Sequence, residues 1–331
     1  MSNRWTVAVY GATGALGREV RVALEGSDVD IETLVPVAGV RSAGETVPWR
    51  GVHVPVIGAF EVDPAAVDVA VIAAPLAVAQ AEIPRLREAG AYVVDLSGAR
   101  DTPEGPLPVL WPPLPIEDLE GLPGGFAIPC APASTCAPAI DALCGAVGAP
   151  VIAVDVVELA SATDEGAAGA EALSRQTVAM LSYQIVEPAP FRDLLAFNTL
   201  SLPRERERAR GARFKSELVA LLPGLRAASV TLTTVHIPIF AGITAVCTLR
   251  FATPPTEVAP LRAAVGAHPD IVLTDEGPAA RDAIELDEVL ASSPRLGDDG
   301  SVSLVLTADP LHRAGLRVAA LLERLAAEEI W

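Results

Sequence analysis

The stretch Thr6-Val7-Ala8-Val9-Tyr10-Gly11-Ala12-Thr13-Gly14-Ala15-Leu16-Gly17 decides the fold of this chain. Five strand-forming residues run straight into three glycines, and Leu16, Val20 and Leu24 then recur on one face at helical spacing. A buried strand, a glycine turn and a helix are predicted in that order. Glycines permit a tight turn and close approach of backbone to phosphate, while the helix start offers free N–H groups and a favourable dipole. Three glycines alone often mark only a turn. The strand before, the helix after and the place at the head of a βαβ series point further, to dinucleotide binding through Gly11, Thr13, Gly14, Ala15, Leu16 and Gly17.

Outward from this stretch, Ile31–Ala38, Val67–Ala74 and Ala91–Leu96 read as further strands. A helical run covers Ala77–Ala89, where Pro84 is expected to kink or restart the helix. Strands alternating with helices predict a parallel sheet of doubly wound, Rossmann-type α/β character. The second strand ends Val35-Pro36-Val37-Ala38-Gly39-Val40-Arg41-Ser42. An NAD site usually places an acid there, to hold the ribose hydroxyls. Here an arginine followed by Ser42 suits a 2′-phosphate, so NADP is the expected cofactor. The competing reading of Arg41 is a loop residue facing water.

Proline and glycine crowd Pro103–Gly125, which reads as an irregular surface excursion. A helix is expected to begin near Ser134, with Pro138 inside its first turn. Longer strands follow at Ile152–Leu159, Ser229–Pro238, Ile243–Phe251 and Ser301–Thr307, with helices near Gly169–Leu181 and Lys215–Leu222. The pattern predicts a second, α+β domain with a mostly antiparallel sheet. The amphipathic helix Leu316–Ile330 is expected to return to the first domain. Residues 1–133 with 312–331 would then form the dinucleotide-binding domain, and 134–311 the substrate and dimerisation domain. The charged run Arg204–Arg213 reads as a solvated face.

The 331 residues suffice for two domains. The 42 acidic against 24 basic residues give a net charge of −18, which argues against nucleic acid and anionic membrane surfaces as partners. The only lysine is Lys215, so an anionic ligand must rely on arginine, backbone N–H groups or a helix N-terminus. Cys130, Cys136, Cys144 and Cys247 form no CxxC pair and no zinc pattern with the four histidines, so no metal is expected. No uninterrupted apolar run would span a membrane, and Met1–Trp5 opens no secretory signal. A cytoplasmic protein with reduced thiols is the expectation.

Several motifs in order resemble the aspartate-semialdehyde dehydrogenase family: Gly11–Gly17, "RSAG" at Arg41–Gly44 and "VVDLSGAR" at Val93–Arg100. "PAST" at Pro132–Thr135, "LAFNTL" at Leu195–Leu200, "IPIF" at Ile237–Phe240 and "DPLHRAGL" at Asp309–Leu316 continue the resemblance to the chain's end. It implies NADPH-dependent reduction of an acyl phosphate to an aldehyde in amino-acid biosynthesis, by a homodimer acting on a small-molecule substrate. The family uses a cysteine nucleophile, a histidine acid/base and arginines for carboxylate and phosphate. Matched residue by residue, the nucleophile position holds Ser134, the base position Ile243 and the carboxylate-arginine position His236. The substrate-orienting glutamine becomes Ala160, and a glutamate meeting the substrate amino group falls near Gly211. Arg100 and Arg213 keep cationic positions. This pattern resembles the Usg-type paralogues, which also lack the thiol.

A hydroxyl is a poor replacement for a thiol, which ionises near neutral pH. Ser134 also fits an N-cap, and His236 fits a satisfied structural histidine. Cys130 could supply a thiol along a different loop path, whereas Cys136, Cys144 and Cys247 read as core. Two functions stay open: an oxidoreductase of this family with lost or altered catalysis, or a catalytically dead, dimeric NADP-binding paralogue with a binding or regulatory role. Acetylglutamyl-phosphate reductase chemistry also needs cysteine and histidine, and fares no better.

Overall fold

Strands that are apolar on both faces can be buried only in a sheet with helices on either side. In the computed structural model, which describes residues 4–40, 42–99, 106–112 and 124–328, the amino-terminal strands Val69–Ile72 and Tyr92–Asp95 are buried along their whole length. The chain forms two compact units, 1–129 with 314–331, and 130–313. Arg41 and Arg100 lie outside the described residues.

In the first unit β1 (Trp5–Tyr10) leads into α1 (Ala15–Glu25), then β2 (Ile31–Ala38). A hairpin of β3 (Thr46–Trp49) and β4 (Val52–Pro55) precedes β5 (Ile57–Gly58), β6 (Val69–Ile72), α2 (Leu76–Glu88), β7 (Tyr92–Asp95) and β8 (Gly125–Ala127). The six-stranded sheet has the order β5-β2-β1-β6-β7-β8, with every pairing parallel. β1 thus has β2 on one side and β6 on the other, and the chain order reverses there. The expected restart at Pro84 does not occur, and α2 runs through it. Pro84 and Gln80, whose carbonyl loses its helical donor, are both exposed, so water can take the donor's place.

In the second unit α3 (Ala131–Val147) is followed by β9 (Val151–Ala160), a 3-10 turn (Ala162–Glu165), α4 (Gly166–Leu181), β10 (Leu200–Ser201) and α5 (Arg204–Leu221). Next come β11 (Ser229–His236), β12 (Ile243–Phe251), α6 (Val258–Ala267), β13 (Ile271–Thr274), β14 (Val289–Ser292), β15 (Arg295–Leu296) and β16 (Val302–Ala308). The sheet has the order β10-β11-β9-β12-β16-β14-β13, with β15 paired to β16. It is mixed: β11 lies parallel to β9 and β13 to β14, while the other pairs are antiparallel. α3 and α5 pack on one face. The last helix, α7 (Pro310–Ala327), places Gly315 against α1, where an added Cβ would come within 2.8 Å of the Glu19 carbonyl.

Three expectations about local structure need correction. α3 starts at Ala131, not near Ser134, so the second unit begins at Cys130. Pro138 therefore lies in the helix interior, beyond the first turn. α5 starts at Arg204, not near Lys215, and absorbs the charged run whole. No helix among the described residues is long and apolar enough to cross a membrane.

Candidate functional site

The glycine turn sits at the carboxyl end of β1, at the reversal of strand order, where open α/β sheets bind ligands. Gly11 has φ +81°, and its N–H and that of Ala12 both donate to the Val37 carbonyl, at 2.8 and 3.1 Å. The turn is thereby tied to the end of β2. An added Cβ on Gly17 would collide with the Gly11 carbonyl, and one on Gly11 with the Ala73 carbonyl. Gly14 is the N-cap of α1 and supplies no side-chain cap, and the first turn carries no acid. Arg18 N–H makes the first helical bond, to the Gly14 carbonyl at 3.0 Å, so the N–H groups of Ala15, Leu16 and Gly17 precede it. Uncapped donors without a competing acid fit a dinucleotide pyrophosphate. Thr13, Gly14, Ala15 and Leu16 are all half-buried at this rim.

Arg21, which the sequence reading did not single out, is buried behind the turn. Its Nε donates to the Ala12 carbonyl (3.2 Å) and its Nη1 to the Pro48 carbonyl (2.8 Å), bracing the turn against the β3–β4 hairpin. Ser42 is half-buried, and its N–H donates to the Gly39 carbonyl at 2.9 Å.

In the second unit, three of the matched positions form one cross-strand row. His236 pairs with Ala160, and Ala160 with Ile243, so their side chains share a face. All three are buried, at 3%, 2% and 2% exposure. Ile243 and Ala160 bring no titratable group to the row. His236 is satisfied: its Nε2 lies 2.9 Å from Asp164 Oδ2, and its ring stands edge-on to Phe191 at 5.4 Å.

Ser134 is not the N-cap. Cys130 holds that place, and the Ser134 hydroxyl donates to the Ala131 carbonyl at 3.0 Å inside the first turn. The Ser134 carbonyl would accept from residue 138, but proline has no N–H. Arg313 Nη1 approaches that carbonyl at 3.4 Å, while the same guanidinium binds the buried Asp270 carboxylate and the Asp287 carbonyl (3.0 Å).

Arg213 pairs with Glu217 at 2.8 Å, and Glu217 also accepts the Cys130 N–H at 2.6 Å. Burial and the adjacent Glu217 carboxylate push the Cys130 thiol well up, so it rests protonated. Cys136 and Cys247 are fully buried, as core residues are; Cys144, expected in the core, is only half-buried.

The residues missed in the sequence are the carboxylates and one arginine around His236. Arg210 clasps Glu158 through Nε (2.7 Å) and Nη2 (2.6 Å), and Asp164 through Nη1 (3.1 Å) and Nη2 (2.8 Å). Burial alone would raise the Asp164 carboxyl, but hydrogen bonds and charge from His236 and Arg210 outweigh it and hold it at about 2. The run Arg204–Arg213 is thus solvated only in part, because Arg210 and Arg213 turn inward. The available signal was helical spacing. Glu207, Arg210, Phe214 and Glu217 recur at three- and four-residue steps, and Phe214 is core. Gly211 lies beside Arg210 and leaves that stripe without a side chain of its own.

The family model described as "Semialdehyde dehydrogenase, NAD binding domain" matches residues 6–118. A USG-1 protein homolog of Pseudomonas aeruginosa is 29% identical over 340 residues, covering 98% of each chain. The solved structure of a probable aspartate-semialdehyde dehydrogenase from Pseudomonas aeruginosa superposes with a TM-score of 0.87 at 28% identity, over 99% of this chain and 100% of that one. An aspartate semialdehyde dehydrogenase with NADP from Candida albicans shares the fold, with a TM-score of 0.74 at 17% identity over 99% and 100% of the two chains. With a dinucleotide turn at the switch point of its parallel sheet, the chain is similar in sequence and fold, over its full length, to aspartate-semialdehyde dehydrogenases and a USG-1 homolog, and residues 6–118 match the semialdehyde dehydrogenase NAD binding domain.

Proposed function

We propose that this protein is an NADP-dependent oxidoreductase of the aspartate-semialdehyde dehydrogenase family in which interconversion of aspartyl phosphate and semialdehyde is lost or altered. The observation that carries the reading is the cross-strand row. Its base position is Ile243, its glutamine position is Ala160, and its arginine position, His236, is already bound to Asp164. At the nucleophile position the Ser134 hydroxyl is committed to the Ala131 carbonyl. Losing nucleophile, base and carboxylate arginine together removes most transition-state stabilisation. Of the proposed substrate contacts, Arg213 and His236 already hold carboxylates, and Arg100 supplies the remaining cation.

The uncapped start of α1 supports the cofactor assignment, and Arg41 with Ser42 its preference for the 2′-phosphate. When bound, NADP accepts or delivers hydride, while this chain's residues hold the pyrophosphate. A cytoplasmic homodimer is part of the proposal. On the sheet face opposite α3 and α5, Val157, Val246 and Val305 lie in register, and Val157 is 41% exposed. A second copy would cover that face.

The test is NADP reduction with L-aspartate semialdehyde and phosphate, beside NADPH and NADH titrations read by tryptophan fluorescence. Tight NADPH binding is expected, with turnover at least about 10³-fold below a competent enzyme's. Robust turnover by the unmodified protein would overturn the reading. Light scattering should report twice the chain mass. The second reading, a catalytically dead NADP-binding paralogue with a binding or regulatory role, is favoured by the same side chains, Arg213 and His236, being already bound to carboxylates. It gains if NADPH binds and no aldehyde is turned over.

A further inference from the structure

Around Asp164 the molecule assembles a recognition site for a carboxylate and then fills it itself. Oδ2 faces His236 Nε2 at 2.9 Å and Arg210 Nη1 at 3.1 Å, and Oδ1 faces Arg210 Nη2 at 2.8 Å. Three donors from α5 and β11 converge on one carboxylate carried by the 3-10 turn Ala162–Glu165. A guanidinium fork with an imidazole beside it is how proteins bind a free carboxylate.

The donors do not owe their positions to Asp164 alone. Arg210 is held from behind by Glu158, bonded at 2.7 and 2.6 Å, and Glu158 is anchored in turn by the Thr234 hydroxyl at 2.8 Å. His236 is held by its place at the end of β11 and by the Phe191 ring. The turn bearing Asp164 is stitched separately, by Ala162 N–H to the Ile239 carbonyl (2.8 Å) and Thr163 N–H to the Phe240 carbonyl (3.1 Å). The Asp164 side chain keeps 17% of its surface exposed, so the cradle has a route to solvent. Glu165 lies 4.0 Å from His236 Nε2 but is engaged by Arg206 at 2.5 Å.

We propose that Asp164 is an internal ligand, occupying a small-monocarboxylate site built by Arg210 and His236, which accepts an external carboxylate of formate size once the Asp164 carboxylate is withdrawn. In the native chain this end of the site is closed to carboxylate ligands. A substrate would therefore bind without a carboxylate contact to His236 or Arg210. The inference deepens the proposed function, but its test reads stability and does not depend on turnover.

The experiment is thermal unfolding of the full chain in sodium formate, from zero to about 200 mM, against sodium chloride at equal ionic strength to match screening. Asp164→Ala is expected to show a formate-specific rise in Tm of about 2–6 °C at about 200 mM, climbing with the logarithm of concentration above roughly 10–50 mM. The parent protein and Asp164→Asn, whose amide fills the same space, are expected to show none. Asp164→Ala combined with Arg210→Gln should lose the response. Absence of a formate-specific rise in Asp164→Ala overturns the proposal, as does an equal rise in the parent. If Asp164→Ala melts without cooperativity, formate-dependent recovery of its near-UV circular dichroism reads the same binding, and its absence is equally decisive.

Discussion

Replacing Arg313 with leucine should be among the most damaging single changes in the second unit. Arg313 and Asp270 are both buried, at 0% and 1% side-chain exposure, and their carboxylate–guanidinium contact lies beneath α3. Removing one partner of such a pair leaves a charge in a low-dielectric interior, at a cost of about 3–5 kcal/mol. The bond to the Asp287 carbonyl adds about 1 kcal/mol, while the 3.4 Å approach to Ser134 adds little. A total of about 4–6 kcal/mol is comparable with the whole stability of many domains. Urea unfolding followed by circular dichroism measures it. Two companion variants sharpen the reasoning. Arg313→Leu with Asp270→Leu exchanges the pair for apolar packing and should recover most of the loss. Pro138→Ala restores an N–H for the Ser134 carbonyl, so it should stabilise the parent and the Arg313→Leu background alike, by about 1 kcal/mol. A loss under 1 kcal/mol for Arg313→Leu, or a double variant no better than the single, would refute the argument.

Because Asp164 is lowered from 3.8 to about 2 in the fold, its contribution of about 2 kcal/mol is complete above pH 4 and lost as pH falls towards 2. Urea midpoints of Asp164→Asn should therefore approach those of the parent across that window, and a gap independent of pH would contradict the assignment. Gly17→Ala forces a Cβ into the Gly11 carbonyl, so it should cost about 1–3 kcal/mol and weaken NADPH binding at least about tenfold, read by fluorescence titration. The Cys130 thiol, raised by burial and by Glu217, should alkylate more slowly at pH 7 than a free thiol, and Glu217→Gln should speed it. On the proposed function, Ser134→Cys alone should give no measurable semialdehyde turnover in an NADP-reduction assay, whereas adding Ile243→His and His236→Arg would supply the base and carboxylate cation that the proposal finds absent.

The first unit was legible because its determinants are local. β2 spans Ile31–Ala38, as the apolar pattern predicts, and α1 begins within the Gly11–Gly17 stretch, at Ala15. The residues proposed for the nucleophile, glutamine, carboxylate-arginine and base positions, Ser134, Ala160, His236 and Ile243, were equally readable, since that proposal concerns residue identity rather than position in space. The α3 boundary was not, because Cys130 takes the N-cap with a backbone conformation that residue type does not announce, and the Ser134 carbonyl that Pro138 leaves without a helical donor faces Arg313, 179 positions away in the chain.

Only the tertiary structure decided which charges matter. Arg204–Arg213 reads as one solvated run, yet Arg210 leaves it to meet Glu158 from β9 and Asp164 from the 3-10 turn. Linear sequence records that the chain carries these groups. It cannot record that a parallel crossover from β9 to β11 sets α5 over the same sheet end and brings cation, carboxylates and His236 within hydrogen-bond reach. Periodicity specifies a backbone element through near neighbours, whereas an ion network depends on distances between elements far apart in the chain, and those are set only when the sheet closes.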